Sequence, residues 1–463
     1  MNANPPELSD AKHDPYSSLR HAGFLRFITG NFLFNLGRQA LSITIALQVL
    51  LWTNSYAAVG LIGFINVLPL IILFMPSGVL ADKIDRRKIV SVTMAVSCVL
   101  SILLVLTSYF HESIPALGIL KGANNAIHAV ACWFTSAERQ AVIHFDNPAL
   151  PIVFFLQLCQ SAARVIGAPA RGALIPQLVP REAIGNAFMW NSSLFELSAV
   201  LGPLAGGFVA IWSYTAVYAA EAFFCLLFAI SLLGIAVLPG KSQFRDAAGG
   251  VPNIPKATDG AVFIWKHKPV LAAITLDLFA VLLGGLMAFY PIYARDVFQF
   301  DNYEFWAGCM RSAPALGAIT MAFIVAHSKP LRRPGVTLLW SVASFGAAIV
   351  VFALSKNIVL SLVALFLTGM FDNISVVVRH TLVQVMTPDH LRGRVTSVNQ
   401  LFIGCSNEIS ELRGGLMAAR FGPVFAATFG GICTILTVIG IVFTLPSLRS
   451  TPPLNKLKPV DEK

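Results

Sequence analysis

The chain has 463 residues, of which 56% are hydrophobic and only 12% charged, and its mean hydropathy is +0.72. Soluble domains carry about 25% charged residues, so this composition excludes an ordinary globular protein and requires lipid as the surrounding solvent. The net charge of +10 is not a nucleic-acid footprint, because Lys and Arg are spread through short loops between apolar runs, the pattern that sets membrane topology.

Residues 1–21 are polar and read as a cytoplasmic tail. A span needs roughly 20 mostly apolar residues. On that basis the first six transmembrane helices run over about 25–50, 57–76, 89–109, 150–170, 187–211 and 215–238. The first run is too long for the apolar core of a signal peptide and reads as an uncleaved span. Its Asn31, Asn35, Arg38 and Ser42 are spaced i, i+4, i+7 and i+11, so they share one helix face. A charged loop, Gly78-Val79-Leu80-Ala81-Asp82-Lys83-Ile84-Asp85-Arg86-Arg87-Lys88, follows the second span. Gly78 allows close helix approach, and Asp82 sits where it can accept from helix-end N–H groups or an Arg.

Between the third and fourth spans lies the polar stretch 110–149. It is assigned to the outer face as an ordered cap or a loose loop, the loop being preferred. Span four carries the stripe Gln157, Ser161, Arg164 and Arg171, and span five contains Gly202-Pro203-Leu204-Ala205-Gly206-Gly207, small residues that suit a packing face. Glu196 and Glu221, in spans five and six, are expected to make interhelical bonds.

Residues 239–268 read as a cytoplasmic linker, with a short surface helix expected at Ala261–Trp265. The last six spans cover about 271–292, 305–325, 337–354, 358–378, 396–419 and 423–445, and a cytoplasmic tail occupies 447–463. Span seven offers Asp277, and span ten the stripe Thr368, Asp372, Ser375 and Arg379. Span eleven places Glu408 and Glu411 at i, i+3, either to relay protons or bind a cationic group, or to bond with Arg413 or Arg311.

The chain also repeats itself. Arg171, Leu174, Pro180, Gly185, Asn191 and Ser198 recur 208 residues later as Arg379, Leu382, Pro388, Gly393, Asn399 and Ser406. Before span four the offset is 246, as between Arg86-Arg87 and Arg332-Arg333 or Asn31 and Asp277. The fall from 246 to 208 places an insertion of 38 residues within 110–149. The fold expected is therefore an all-α membrane protein of twelve transmembrane helices in two pseudo-symmetric six-helix bundles, 22–238 and 269–446. Every basic loop falls on the face of both termini, which reads as cytoplasmic. Seven cysteines without a CxxC, and no nucleophile–base constellation, give no sign of a metal, a cofactor or an enzyme. Gly240-Lys241-Ser242 lacks a preceding strand and is no phosphate loop.

Gly78 to Lys88, with Asp85 where a Gly is usual, and Gly202 to Gly207 resemble motifs of the major facilitator superfamily. Ala173-Leu174-Ile175-Pro176-Gln177-Leu178-Val179-Pro180 and Thr387-Pro388-Asp389-His390-Leu391-Arg392-Gly393-Arg394-Val395 are similar to the drug-proton antiporter branch that includes enterobactin exporters and macrolide efflux proteins. Leu276 to Gly285 adds to this likeness. The resemblance implies that spans one, four, seven and ten surround a central cavity. It would bring together Arg38, Arg164, Asp277 and Asp372, with Asn31 and Asn35, for substrate binding and proton coupling. Arg38, Arg164, Asp277 and Asp372 would either form permanent ion pairs that hold the halves together, or a carboxylate would titrate while its Arg partner switches; in the second case Asp277 or Asp372 would be the main proton carrier, with Glu408, Glu411 and Arg379 as secondary candidates. It further implies an inner gate at Gly78, Asp82, Arg86 and Arg87, and an antiporter-like packing motif at Gly202, Pro203, Gly206 and Gly207. The expected function is proton-coupled export of an amphipathic small molecule across a bacterial inner membrane by a monomer. Arg38 and Arg164 would favour an anionic or polar group on it. A proton-coupled importer, and a non-transporting receptor, are the alternatives.

Overall fold

The computed structural model describes residues 14–235, 257–328, 333–445 and 448–449. The expectations for the tails before 14 and after 449, for most of the 239–268 linker and for Arg332 lie outside the described residues.

Sixteen helices are described: α1 Ala22–Thr53, α2 Tyr56–Lys83, α3 Arg86–Tyr109, α4 Gly118–Phe134, α5 Ala137–Gln140, α6 Ala149–Leu178, α7 Ile184–Ala210 and α8 Tyr214–Leu233, then α9 Ala257–Lys266, α10 Lys268–Gly284, α11 Phe289–Ile292, α12 Tyr303–Ala326, α13 Pro334–Leu354, α14 Ile358–Met386, α15 Asp389–Phe421 and α16 Pro423–Thr444. A π-helical turn, Tyr293–Val297, extends α11. Local chemistry sets several ends. Asn54 takes a left-handed backbone, φ 49°, and closes α1 through its N–H to Leu50 O. Ser55 caps α2 by accepting from the Ala58 N–H, and Asp85 caps α3 by accepting from Arg87 N at 2.9 Å.

The twelve-helix, two-bundle expectation holds. Among the described residues, eleven segments are long and apolar enough to cross a bilayer. The remaining span is α15, whose Arg392, Arg394, Glu408, Glu411, Arg413 and Arg420 lower its hydropathy. It packs along α2, α10 and α16, so protein shields much of it from lipid. The seventh span is discontinuous: α10 ends at Gly284 and α11 begins at Phe289. At the break Gly285 packs against the Ser410 side chain of α15, which would have to move to admit a Cβ. Lipid-facing rows are apolar, as in Val92, Val96, Val99 and Leu103 of α3 and Phe425, Phe429, Ile432, Leu436 and Phe443 of α16, all exposed.

The stretch 110–149 is not the loose loop preferred from sequence. It contains α4 and the single turn α5. Asn124, Ile127 and Ala131 occur at i, i+3 and i+7, one helix face that packs on α2, α6 and α15. Asn124 Nδ2 also donates to Asn147 O at 2.9 Å, and Trp133 stays 83% exposed. The stretch is too polar to span, yet it has enough of an apolar face to dock. The expected short surface helix at Ala261–Trp265 lies within α9, which buries Phe263 and Ile264 and packs on α15.

The two halves meet along α2–α15 and α7–α12. A Cβ on Gly60 would stand 2.9 Å from Gly415 Cα, and the α7–α12 contact passes through Pro203, Gly207, Glu304 and Gly308. All these contacts lie toward the face opposite the Gly78–Lys88 loop. That face is sealed by a polar cluster. Arg295 donates to Leu50 O at 2.9 Å and Asn54 Oδ1 at 2.6 Å while paired with Asp296. Arg139 of α5 lies 4.5 Å over the Tyr56 ring. Ser136 N donates to Ala419 O at 3.3 Å, and His144 N to Thr53 O at 2.9 Å. At the other end, a Cβ on Gly78 of α2 or Gly393 of α15 would have nothing within 4 Å. The space beside these two glycines, at the end that carries the charged loop, is open.

Candidate functional site

Between the halves lies a cavity of about 320 Å³, within the usual range for small-molecule sites. α1 supplies Arg38 and Ser42, α6 supplies Gln157 and Arg164, α12 supplies Arg311, and α15 supplies Glu408 and Glu411. Glu221 of α8 also reaches it. Lining side chains thus include three guanidiniums and three carboxyls, a balanced set when all are ionised. One proton or one charged substrate group tips that balance.

Two cross-half contacts organise these charges. Arg164 Nη2 lies 3.5 Å from Glu408 Oε1, with the side chains 30% and 17% exposed. Arg311 Nη2 donates to Ser42 Oγ at 3.0 Å. A long, partly wet ion pair is worth little and separates readily. Arg164 also donates to Ser161 Oγ at 3.2 Å, and Gln157 Nε2 to Asn66 Oδ1 at 2.9 Å, which fixes the α6 stripe against α2. Glu408 and Glu411 face the cavity from one helix, so they repel each other unless a proton or a donor stands between them.

The structure therefore brings together Arg38, Arg164, Glu408 and Glu411, but not all of the expected residues. Asp277 is ion-paired with the buried Arg379 between α10 and α14, and neither lines the cavity. Asp372 lies in electrostatic reach of Glu196 of α7 and is also absent from the lining. Asn31 donates to Asn191 Oδ1 at 3.0 Å and ties α1 to α7, Asn35 donates back to Asn31 O of its own helix at 2.7 Å, and neither lines the cavity. The reason is rotational. Residues one turn apart share a face only roughly, and a two-bundle packing exposes a narrow part of each helix to the centre.

The charged loop is open. Asp82 is 80% exposed and 4.0 Å from Arg86, so it does not cap a helix; Asp85 does that. Arg86 Nη1 donates to Ala173 O at 3.2 Å and Arg87 Nη1 to Ile235 O at 2.5 Å, tying the start of α3 to α6 and to the end of α8. In the glycine motif, Gly202 and Gly206 pack on α1 within one half, whereas Pro203 and Gly207 pack on α12 of the other. An i, i+4 register thus divides four small residues between two interfaces.

Glu221 and Asn66 are among the lining residues that sequence reading did not place here. Each is a lone polar side chain in an apolar run, and that is itself a functional signal inside a membrane. Among the described residues no group of three or more His, Cys, Asp or Glu side chains could hold a metal.

Comparison with known proteins agrees with this architecture. The sequence profile of the Major Facilitator Superfamily matches residues 27–410. An enterobactin exporter of Shigella boydii serotype 18 is 24% identical over 450 residues, covering 94% of this chain and 95% of the relative. The crystal structure of a D-xylose-proton symporter superposes with a TM-score of 0.67 at 12% identity, covering 93% of this chain and 99% of that one. A bacterial homologue of the human lysosomal transporter Spinster, inward-facing and unoccupied, superposes with a TM-score of 0.65 at 14% identity, covering 95% and 97%.

Proposed function

The chain belongs to the Major Facilitator Superfamily and is a transporter, not an enzyme, and from that premise we propose that it exports an amphipathic small molecule in exchange for protons. The observation that carries this reading is the carboxylate pair Glu408 and Glu411, facing a cavity between the halves with Arg164 at 3.5 Å from Glu408. The likeness to enterobactin exporters supports export as the direction.

Coupling follows from reciprocity: a substrate that lowers proton affinity is exchanged for protons, and one that raises it travels with them. A cation or a hydrogen-bond donor seated against Glu408 and Glu411 takes the proton's place, which gives exchange. An anion seated on Arg38 alone favours proton binding, which gives cotransport. The exported molecule therefore presents donors, such as hydroxyls or an amine, to the α15 carboxylates, and its acidic or polar atoms to Arg38 and Arg311. Phe34, Phe195 and Met287 supply apolar wall for its body.

The passage opens toward the charged loop, which we place in the cytoplasm of a bacterial inner membrane. In this state substrate enters and protons leave. Gly78, Asp82, Arg86 and Arg87 would latch the inner face when the halves rock to open outward. Reconstituted protein tests the reading: amphipathic compounds, enterobactin among them, should drive proton release from vesicles, each compound moving against the proton flow. Accumulation of a compound along with protons would instead establish the importer reading.

A further inference from the structure

Glu221 stands apart from the other cavity carboxyls. It lies on α8, 2% exposed, and belongs to the half opposite Glu408 and Glu411. Ser101 Oγ of α3 bonds its Oε2, and Cys225 Sγ lies 3.4 Å from its Oε1. Ser101 Oγ is also 2.9 Å from Ser97 O and 2.7 Å from Gln160 Nε2. The ion pairs among the described residues include neither Glu221 nor Arg38.

Proton bookkeeping makes this arrangement informative. A hydroxyl has one proton and two lone pairs, and an amide nitrogen only donates. Gln160 therefore fills one lone pair of Ser101. The single Ser101 proton goes to Ser97 O or to Glu221 Oε2, but not to both. When Glu221 is ionised it accepts from Ser101 and Cys225. When it is protonated it donates to Ser101, whose own proton turns to Ser97 O. Both charge states find their partners within this one set of groups, although a purely structural carboxylate needs only one.

The charged and titratable groups in reach of Glu221 are Arg38 from α1, Cys98 from α3 and Cys225 from its own helix. Arg38 is also in reach of Arg164, Arg171 and Arg311, which repel it, and of Glu408, which Arg164 also pairs. Its neighbour Gly37 fixes this placement, because a Cβ there would stand 3.1 Å from Glu221 Cα and Cγ. Arg38 thus lines the same cavity as one carboxyl from each half, Glu221 and Glu408.

We propose that Glu221 is a second proton-binding group of the transport cycle, coupled through Arg38 to Glu408. This rests on the proton-exchange reading above. A proton from the outer side adds to Oε2 and converts the carboxylate to the acid; it leaves the same atom to the inner side once the passage has switched. Protonation releases Arg38 toward Glu408 of the opposite half, and ionisation draws it back.

The test reads proton binding directly, with protons alone as the probe. Infrared difference spectra of the full-length protein in lipid, taken across a pH titration, should contain a carboxylic-acid C=O band that Glu221→Gln removes. Ser101→Ala keeps the carboxyl and should shift the frequency and midpoint of that band. A titration identical in wild type and Glu221→Gln overturns the proposal, as does an unmoved band in Ser101→Ala. If the band titrates as expected but proton gradients drive no transport in vesicles, the exchange reading fails while Glu221 remains a proton site.

Discussion

Asp277 of α10 and Arg379 of α14 form an ion pair buried inside one half, their side chains 6% and 2% exposed. Their counterparts in the repeat, Asn31 and Arg171, bond elsewhere: Asn31 to Asn191, and Arg171 over the Phe34 ring at 4.9 Å. The duplicated chain thus holds a dry ion pair in one lobe, while a wet, separable pair, Arg164 with Glu408, spans the two lobes. Dry pairs within one rigid body fix structure; wet pairs between moving bodies can break in a cycle.

Asp277→Asn should therefore act on stability. Removing one partner of a buried pair costs roughly 3–5 kcal/mol. Thermal unfolding in detergent should show a clearly lowered midpoint, and adding Arg379→Gln should recover part of it. An unchanged midpoint together with lost proton coupling would restore Asp277 as the proton carrier.

Glu408→Gln and Glu411→Gln should each lower gradient-driven accumulation much more than downhill substrate exchange. The loss of gradient-driven accumulation should be about tenfold or more, as expected for an interaction of ~1.4 kcal/mol or more. Transport assays at matched reconstitution check this. Retained gradient-driven accumulation in both variants would remove the α15 pair from the coupling step.

Gly207→Val and Gly202→Val should differ in kind. Gly207 meets Glu304 and Gly308 across the halves, whereas Gly202 meets Leu36 and Gln39 within one half. The first should hold the sealed face open, so that a cysteine at Ser42→Cys reacts faster with an impermeant maleimide added from that side. The second should lower folded yield instead.

Arg295→Ala should loosen the same seal, because Arg295 bonds Leu50 and Asn54 across the halves. Deleting residues 113–146 removes α4 and α5, including the Ser136–Ala419 link. Both changes should raise labelling of the Ser42→Cys reporter from the sealed face, with folded protein still recovered from the membrane. Unaltered labelling would make the insert a passive cover.

The sequence by itself determined the solvent, the helix count and the duplication. Those rest on quantities local to the chain: apolar run length, loop charge and a residue offset that drops by 38 at the insertion. It also marked Arg38, Arg164, Glu408 and Glu411 as costly side chains to place in a membrane. Only the tertiary structure decided which of them meet. Helix rotation sends Asp277 to Arg379, Asn31 to Asn191 and Glu221 into the passage, and rotation depends on packing partners far away in sequence. The docking of α4 is likewise a tertiary fact, since its Asn124, Ile127 and Ala131 face becomes worth burying only when α2, α6 and α15 are there to receive it.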